Sequence, residues 1–198
     1  MTVEFARGKA YVIDRGKPKL RAGQGMLAGL DVVIRHFFSA FAKKVETPAE
    51  TSGVFTVQYP EERLELADHV YIGPFVFIEA SGGVTLEEGV QITSHVVVTT
   101  HSSHRALRLL GREYVRWPGQ RPGWVAGAVH VGAYSFIGPH SLIEAGTRLG
   151  RGSLVRAGSS VRGQFPDFAV LEGRPAQVVG DTRERDAAWL QRHPELRA

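Results

Sequence analysis

From Val125 to Val161 an aliphatic residue recurs at every sixth position: Val125, Val131, Ile137, Ile143, Leu149, Val155 and Val161. Four places after each of the first six stands a small or β-branched residue, namely Val129, Ser135, Ser141, Thr147, Ser153 and Ser159. A helix would repeat at 3.6 residues and a plain strand at two, so neither produces this spacing. A step of six is that of a parallel β-helix built from hexapeptide repeats, an all-β solenoid. Each hexad supplies one short strand and one corner of a three-sided prism, with the aliphatic side chain inside. Gly132, Gly138 and Gly150 follow their aliphatics directly, where a tight corner takes a residue without Cβ.

An earlier run keeps the same step through Leu66, Ile72, Ile78, Val84, Val90 and Val96, enough for two turns of a three-sided coil. The two runs are out of phase, because steps of six from Val96 arrive at Ala126 and miss Val125. About residues 102–124 must therefore leave the prism as a loop, and a loop of this length in a compact repeat is usually functional or disordered. It carries Arg105, Arg108, Arg112, Arg116 and Arg121 with Tyr114, Trp117 and Trp124. The pattern predicts a β-helix over 66–166 and short helices near both termini. Asp31 to Val45 reads as an amphipathic helix with Val33, Phe37, Phe38 and Phe41 roughly on one face. A cap on the open end of the prism is favoured for it. Contact with an anionic membrane through Arg35, Lys43 and Lys44 is the alternative. Leu20 and Met26 mark one imperfect hexad, and Arg183 to Arg192 reads as a helix fastened by Trp189. The chain thus divides into an extension at 1–65, a repeat domain at 66–180 and a C-terminal helix at 181–198.

The absence of cysteine excludes disulfides, thiolate metal sites and a cysteine nucleophile, and it suits the cytoplasm. No signal peptide or transmembrane run is evident. The net charge of +4 favours anionic ligands, but the basic residues scatter, so nucleic acid is not expected as a partner.

Three segments add a resemblance to the repeat: TTHSSHRALR where the loop leaves the prism, HVGAYSFIGPHSLIEAGTRLGRGSLVRAGSSVRGQFPDF after it, and EGRPAQVV near the end. Together they resemble the hexapeptide-repeat acyltransferases, close to the galactoside and maltose O-acetyltransferases. The resemblance implies a left-handed β-helix, a homotrimer with active sites between neighbouring prisms, and acetyl-CoA as co-substrate with no metal. It also implies that His101 is the catalytic residue, a general base whose neutral imidazole takes the proton of an acceptor hydroxyl attacking the thioester. His104 is a candidate for touching the acceptor. Glu79 stands where close relatives carry an acceptor-binding Asn; its carboxylate would bond a sugar hydroxyl or orient His101. Coenzyme A contacts carry over by position to Pro139, Ala157, Arg162, Arg174 and Gln177. Small residues at 157–158 leave room for pantetheine, and the arginines supply cations for phosphate. Relatives place Thr-Lys where this chain has Arg162-Gly163, so one cation has moved by a position. His95 and His130 are expected at the surface or an interface.

The expected acceptor is a small hydroxyl compound such as a sugar, since the arginines and aromatics of the loop suit a glycan or a phosphorylated sugar. Two alternatives stay open. A γ-class carbonic anhydrase-like protein shares the prism, but no histidine pair here has its zinc-ligand spacing. A non-catalytic scaffold would bind partners through the loop and the N-terminal helix.

Overall fold

A computed structural model describes residues 63–196, together with the backbone of four short strands at Thr2–Phe5, Lys43–Glu46, Glu50–Thr51 and Thr56–Gln58. Short parallel strands stack into three sheets that the chain visits in rotation. The first face contains Tyr71–Ile72, Gln91–Ile92, Phe136–Ile137 and Leu154–Val155. The second contains Phe77–Glu79, Val97–Thr99, Leu142–Ile143 and Ser160–Val161. The third contains Val84–Leu86, Val129–Val131, Arg148–Leu149 and Gln164–Phe165. Parallel pairing reaches beyond the expected 66–166 at both ends. Glu50 pairs with Tyr71 upstream, and Ala169–Gly173 pairs with Leu154–Val155 downstream before turning back antiparallel into Ala176–Asp181.

The core is a column of aliphatics. Ile72, Ile78, Leu86, Ile92, Ile137, Ile143 and Leu149 are fully buried, with Val98, Val131, Val155 and Val161 on the same axis. From Ile137 to Val161 the residue two places before each lead is a small, buried Ser or Thr whose hydroxyl bonds a backbone carbonyl, as in Thr147 to Glu144, Ser153 to Gly150 and Ser159 to Arg156, at 2.6–2.8 Å. Those hydroxyls are therefore satisfied inside an apolar prism, as buried polar groups must be.

Before the excursion the same places hold Val84, Val90 and Val96. This corrects the phase read from the sequence. After the excursion Phe136 pairs with Leu154, three hexads further on. Three hexads from Phe77 would reach only His95, yet Phe77 pairs with Val97, and Tyr71 likewise pairs with Gln91. The corner after Ile78 is longer by two residues, so the leads after it are Leu86, Ile92 and Val98. Because both sites are aliphatic there, a step of six runs on unbroken from one to the other and hides the slip. Val125 is no lead either: it is half-buried in an antiparallel pairing of Val125–Ala126 with His101–Ser102.

The glycines after the leads serve close packing. A Cβ on Gly138 would meet the backbone N of Ala157 at 2.6 Å in the next coil. The left-handed corner residue comes two places later, and at several corners it is not glycine. Phe75, His95, Tyr134, His140 and Phe168 all have φ near +60°, a conformation that bulky side chains rarely adopt.

Residues 43–45 of the expected N-terminal helix lie in the strand Lys43–Glu46, paired antiparallel with Thr2–Phe5. The rest of that helix, and the Leu20–Met26 hexad, lie outside the described residues. The C-terminal helix is Thr182–Arg192, with Asp181 accepting from the Arg183 backbone N–H as its N-cap. Trp189 does not fasten it: the residue is 57% exposed, and among the described residues its ring stacks only on His193 and Arg192. Among the described residues no helix is long and apolar enough to cross a membrane.

Candidate active site

The departures from the six-residue step fall on one edge of the prism, between the second and third faces. They include the long corner after Ile78, the excursion after Thr99 and a corner after Val161 that is two residues short. The excursion contains a helix at His104–Leu110 and a 3-10 turn at Gly111–Val115. It leaves and returns through the ribbon that pairs His101 with Ala126.

His101 sits at this root with its side chain 28% exposed. Its Nδ1 lies 2.8 Å from Oε2 of Glu79 and 3.1 Å from the hydroxyl of Ser81. Glu79 is 4% exposed, and its carboxylate accepts from the Ser81 N–H at 2.7 Å and from the Thr100 N–H and hydroxyl at 3.0 and 2.7 Å. Burial alone would raise the carboxyl pKa. The bonds from Ser81 and Thr100 outweigh it and hold the group below its usual value. A buried anion so fixed favours the proton on Nδ1 and leaves Nε2 with its lone pair. The other face of the site is Trp124, whose ring stacks on His101 with centroids 4.7 Å apart and planes 10° apart.

An open cleft beside the imidazole is lined by Thr99, His101, Ser102, His104, Glu144 and Arg162 among others. His104 is exposed and bonds the Ser102 hydroxyl through Nδ1 at 2.7 Å. Glu144 accepts from Ser160 at 2.8 Å. Of the residues expected around the site, the structure therefore brings His101, His104 and Arg162 to one cleft, with Glu79 behind the imidazole and not in the cleft. None of the five loop arginines lines it.

The remaining residues expected to hold coenzyme A stand elsewhere. Pro139 and Ala157 lie on the edge between the first and second faces, where the Gly158 N–H donates to the Pro139 carbonyl at 2.8 Å. Arg174 reaches the same edge, its Nε donating to the Gly158 carbonyl. Gln177 is exposed on the closing hairpin. On that edge too, the ring of His95 lies between those of Phe75 and His140, with centroids 5.0 and 4.8 Å away. His130 is on the third face, half-buried and 2.8 Å from Glu87. Among the described residues no three His, Asp or Glu side chains group so as to hold a metal ion.

Sequence reasoning did not single out Ser81, Thr100, Trp124 or Glu144. Trp124 was visible as a loop aromatic, and the Ser81-Gly82-Gly83 corner carried the signal of an extra turn.

No protein-family model matches the chain. The Escherichia coli protein named "Putative lipopolysaccharide biosynthesis O-acetyl transferase WbbJ" is 26% identical over 123 residues, covering 62% of this chain and 63% of that protein. The galactoside O-acetyltransferase of Escherichia coli is 31% identical over 105 residues, covering 52% and 46%. The bifunctional protein GlmU of Streptococcus equi subsp. zooepidemicus is 31% identical over 162 residues, covering 72% and 33%. The chain thus spans less than two thirds of each of these relatives. Among solved structures, a galactoside acetyltransferase in complex with coenzyme A superposes with a TM-score of 0.55 at 19% identity, covering 84% of this chain and 76% of that one. A hexapeptide-repeat containing acetyltransferase from Vibrio cholerae gives 0.54 at 20% identity, covering 80% and 82%.

Proposed function

We propose that this chain, which resembles the hexapeptide-repeat acetyltransferases in sequence and in fold, is an acetyl-CoA-dependent O-acetyltransferase acting on a hydroxyl of a sugar or sugar-containing acceptor. The observation that carries the reading is the 2.8 Å contact between His101 Nδ1 and the buried Glu79 carboxylate. His101 is the general base: Nε2 takes the acceptor proton, while Glu79 holds the ring and favours the imidazolium that forms. Trp124 keeps the ring plane fixed. Glu79 is a positioning residue, and His104 and Arg162 are the nearest groups for the acceptor or the thioester end of the co-substrate.

Acetyl-CoA, when bound, supplies the acetyl thioester. The residues suit it: Ala157 and Gly158 keep one edge shallow, and Arg174 is exposed beside them. Arg174 and Gln177 lie toward the closing hairpin, where the phosphates would be held. The His101 cleft and the Pro139–Ala157–Arg174 set occupy different edges of a single prism. A second copy must therefore complete each site, in a homotrimer of left-handed β-helices. We assign the activity to residues 66–180, with 1–65 and 181–198 as appendages, in a cytoplasmic enzyme.

The test is an acceptor screen with acetyl-CoA, read as free thiol, over galactosides, maltose, amino sugars and phosphorylated sugars. The expected result is thiol release that depends on one acceptor class and disappears in His101→Ala. Thiol release from no acceptor, with no measurable coenzyme A binding, would overturn the reading.

A further inference from the structure

The excursion holds a charge that the rest of the molecule does not. Of the 24 basic and 20 acidic side chains, five arginines and Glu113 lie between Ser103 and Trp124, leaving 19 of each sign elsewhere. The basic residues look scattered along the sequence, yet the entire formal excess of +4 rides on this one arm. Arg121 is engaged within it, donating to the Tyr114 carbonyl and lying over the Tyr114 ring. Arg105, Arg108, Arg112 and Arg116 are exposed, and among the described residues none of them has an acidic partner.

Apolar side chains are interleaved with these cations. Leu107 is 54% exposed, Leu109 65%, Val115 81% and Trp117 38%. A solvated loop explains the arginines but not the apolar residues. A nucleic acid or other soluble polyanion would pair the cations and leave Leu109 and Val115 in water. Two copies packed arm to arm would bring like charges together. An anionic lipid surface takes both kinds of side chain at once, phosphates on the guanidiniums and aliphatics and Trp117 at the acyl boundary.

We propose that the 103–124 excursion docks the protein on an anionic lipid bilayer. Because the arm is rooted at His101–Ser102, docking holds the cleft against the headgroups, so the acceptor is a hydroxyl carried by a lipid-linked glycan. That last step rests on the transferase reading above; the docking does not.

The experiment is sedimentation of the full chain with phosphatidylcholine vesicles, with and without phosphatidylglycerol. Partition is expected only with phosphatidylglycerol, and it should weaken as salt is raised. The triple variant R108E/R112E/R116E should partition on the order of a hundredfold more weakly, at the usual worth of each juxtamembrane cation. A second variant, L109S/V115S/W117S, should also lose vesicle binding while keeping its retention on heparin and its melting temperature. If the wild type does not partition, or the apolar variant partitions as well as the wild type, the proposal fails; in the latter case the arm is a polyanion site. Wild-type partition together with inactivity on every acceptor would leave the docking standing and remove the lipid-linked acceptor.

Discussion

His101 and Glu79 come from successive coils, and the buried carboxylate of Glu79 meets Nδ1 of His101 at 2.8 Å. The pair is assembled by stacking: the partner of Glu79 across the sheet is Thr99, two residues before His101. Any change that moves one coil against the next moves base against carboxylate.

Replacing His101 with Ala should lower kcat by about 10²- to 10⁴-fold, the usual worth of a positioned proton acceptor. Coenzyme A affinity, measured by calorimetry, should hardly change, because all its proposed contacts but Arg162 lie on another edge. Wild-type turnover at saturating substrate would remove His101 from the mechanism.

Glu79→Gln keeps the volume and loses the charge. It should reduce kcat on the order of tenfold to a thousandfold with little effect on the acceptor KM, since Glu79 stands behind the imidazole. Glu79→Ala should add a loss of about 1–3 kcal/mol in stability, because the Thr100 and Ser81 N–H groups lose their acceptor. A rise in KM alone would mean that the carboxylate contacts the acceptor instead.

The same carboxyl predicts how stability follows pH. Its folded-state pKa lies below the ordinary 4.5, so its contribution is present above pH 4.5 and disappears as pH falls through the folded value. Wild type and Glu79→Gln should differ most in melting temperature near neutrality and converge in acid. Parallel profiles down to the acid limit would contradict this.

Ile143 and Val125 share one six-residue series but not one environment. Ile143→Ala should cost about 2–5 kcal/mol as a cavity in the core, whereas Val125→Ala should cost well under about 1.5 kcal/mol in its half-buried ribbon. Chemical denaturation of the two variants makes the comparison.

Gly89 and Gly146 both have positive φ, at +66° and +81°. A Cβ at Gly146 meets nothing within 4 Å, so Ala there should cost only the left-handed strain of about 1–2 kcal/mol. At Gly89 the Cβ would meet the Tyr134 ring at 2.5 Å, adding about 1–3 kcal/mol. Tyr134→Ala should remove that extra cost; if it does not, the ring is not the obstacle.

The prism was legible because burial in it follows one rule for coil after coil, and the alternation of aliphatic lead and small hydroxyl survives in the raw sequence. The slip after Ile78 was not, since Val84, Val90 and Val96 are as apolar as true leads. His101 was legible through its local segment. Of its partners, the sequence leaves Glu79 open between orienting His101 and binding the acceptor and does not single out Trp124, because each stands more than a full coil away along the chain. One reaches His101 by coil stacking and the other by the return of the loop. The division of the proposed coenzyme contacts between two edges also needed the corners to be counted, which an undetected two-residue slip prevents.

The unequal coils also bear on how such a chain can change length. Neighbouring turns of a solenoid contact only each other, so whole turns can be lost or duplicated without disturbing the rest. Here the unit differs along the axis. Three hexads would be removed cleanly only between His130 and Ser160, where His130 pairs with Arg148, Phe136 with Leu154 and Leu142 with Ser160. The same cut between Tyr71 and Val97 would leave two residues over and displace every later lead by two places along its strand. The two halves therefore recombine in different units, and an exchange of turns between them would break at the edge that holds His101.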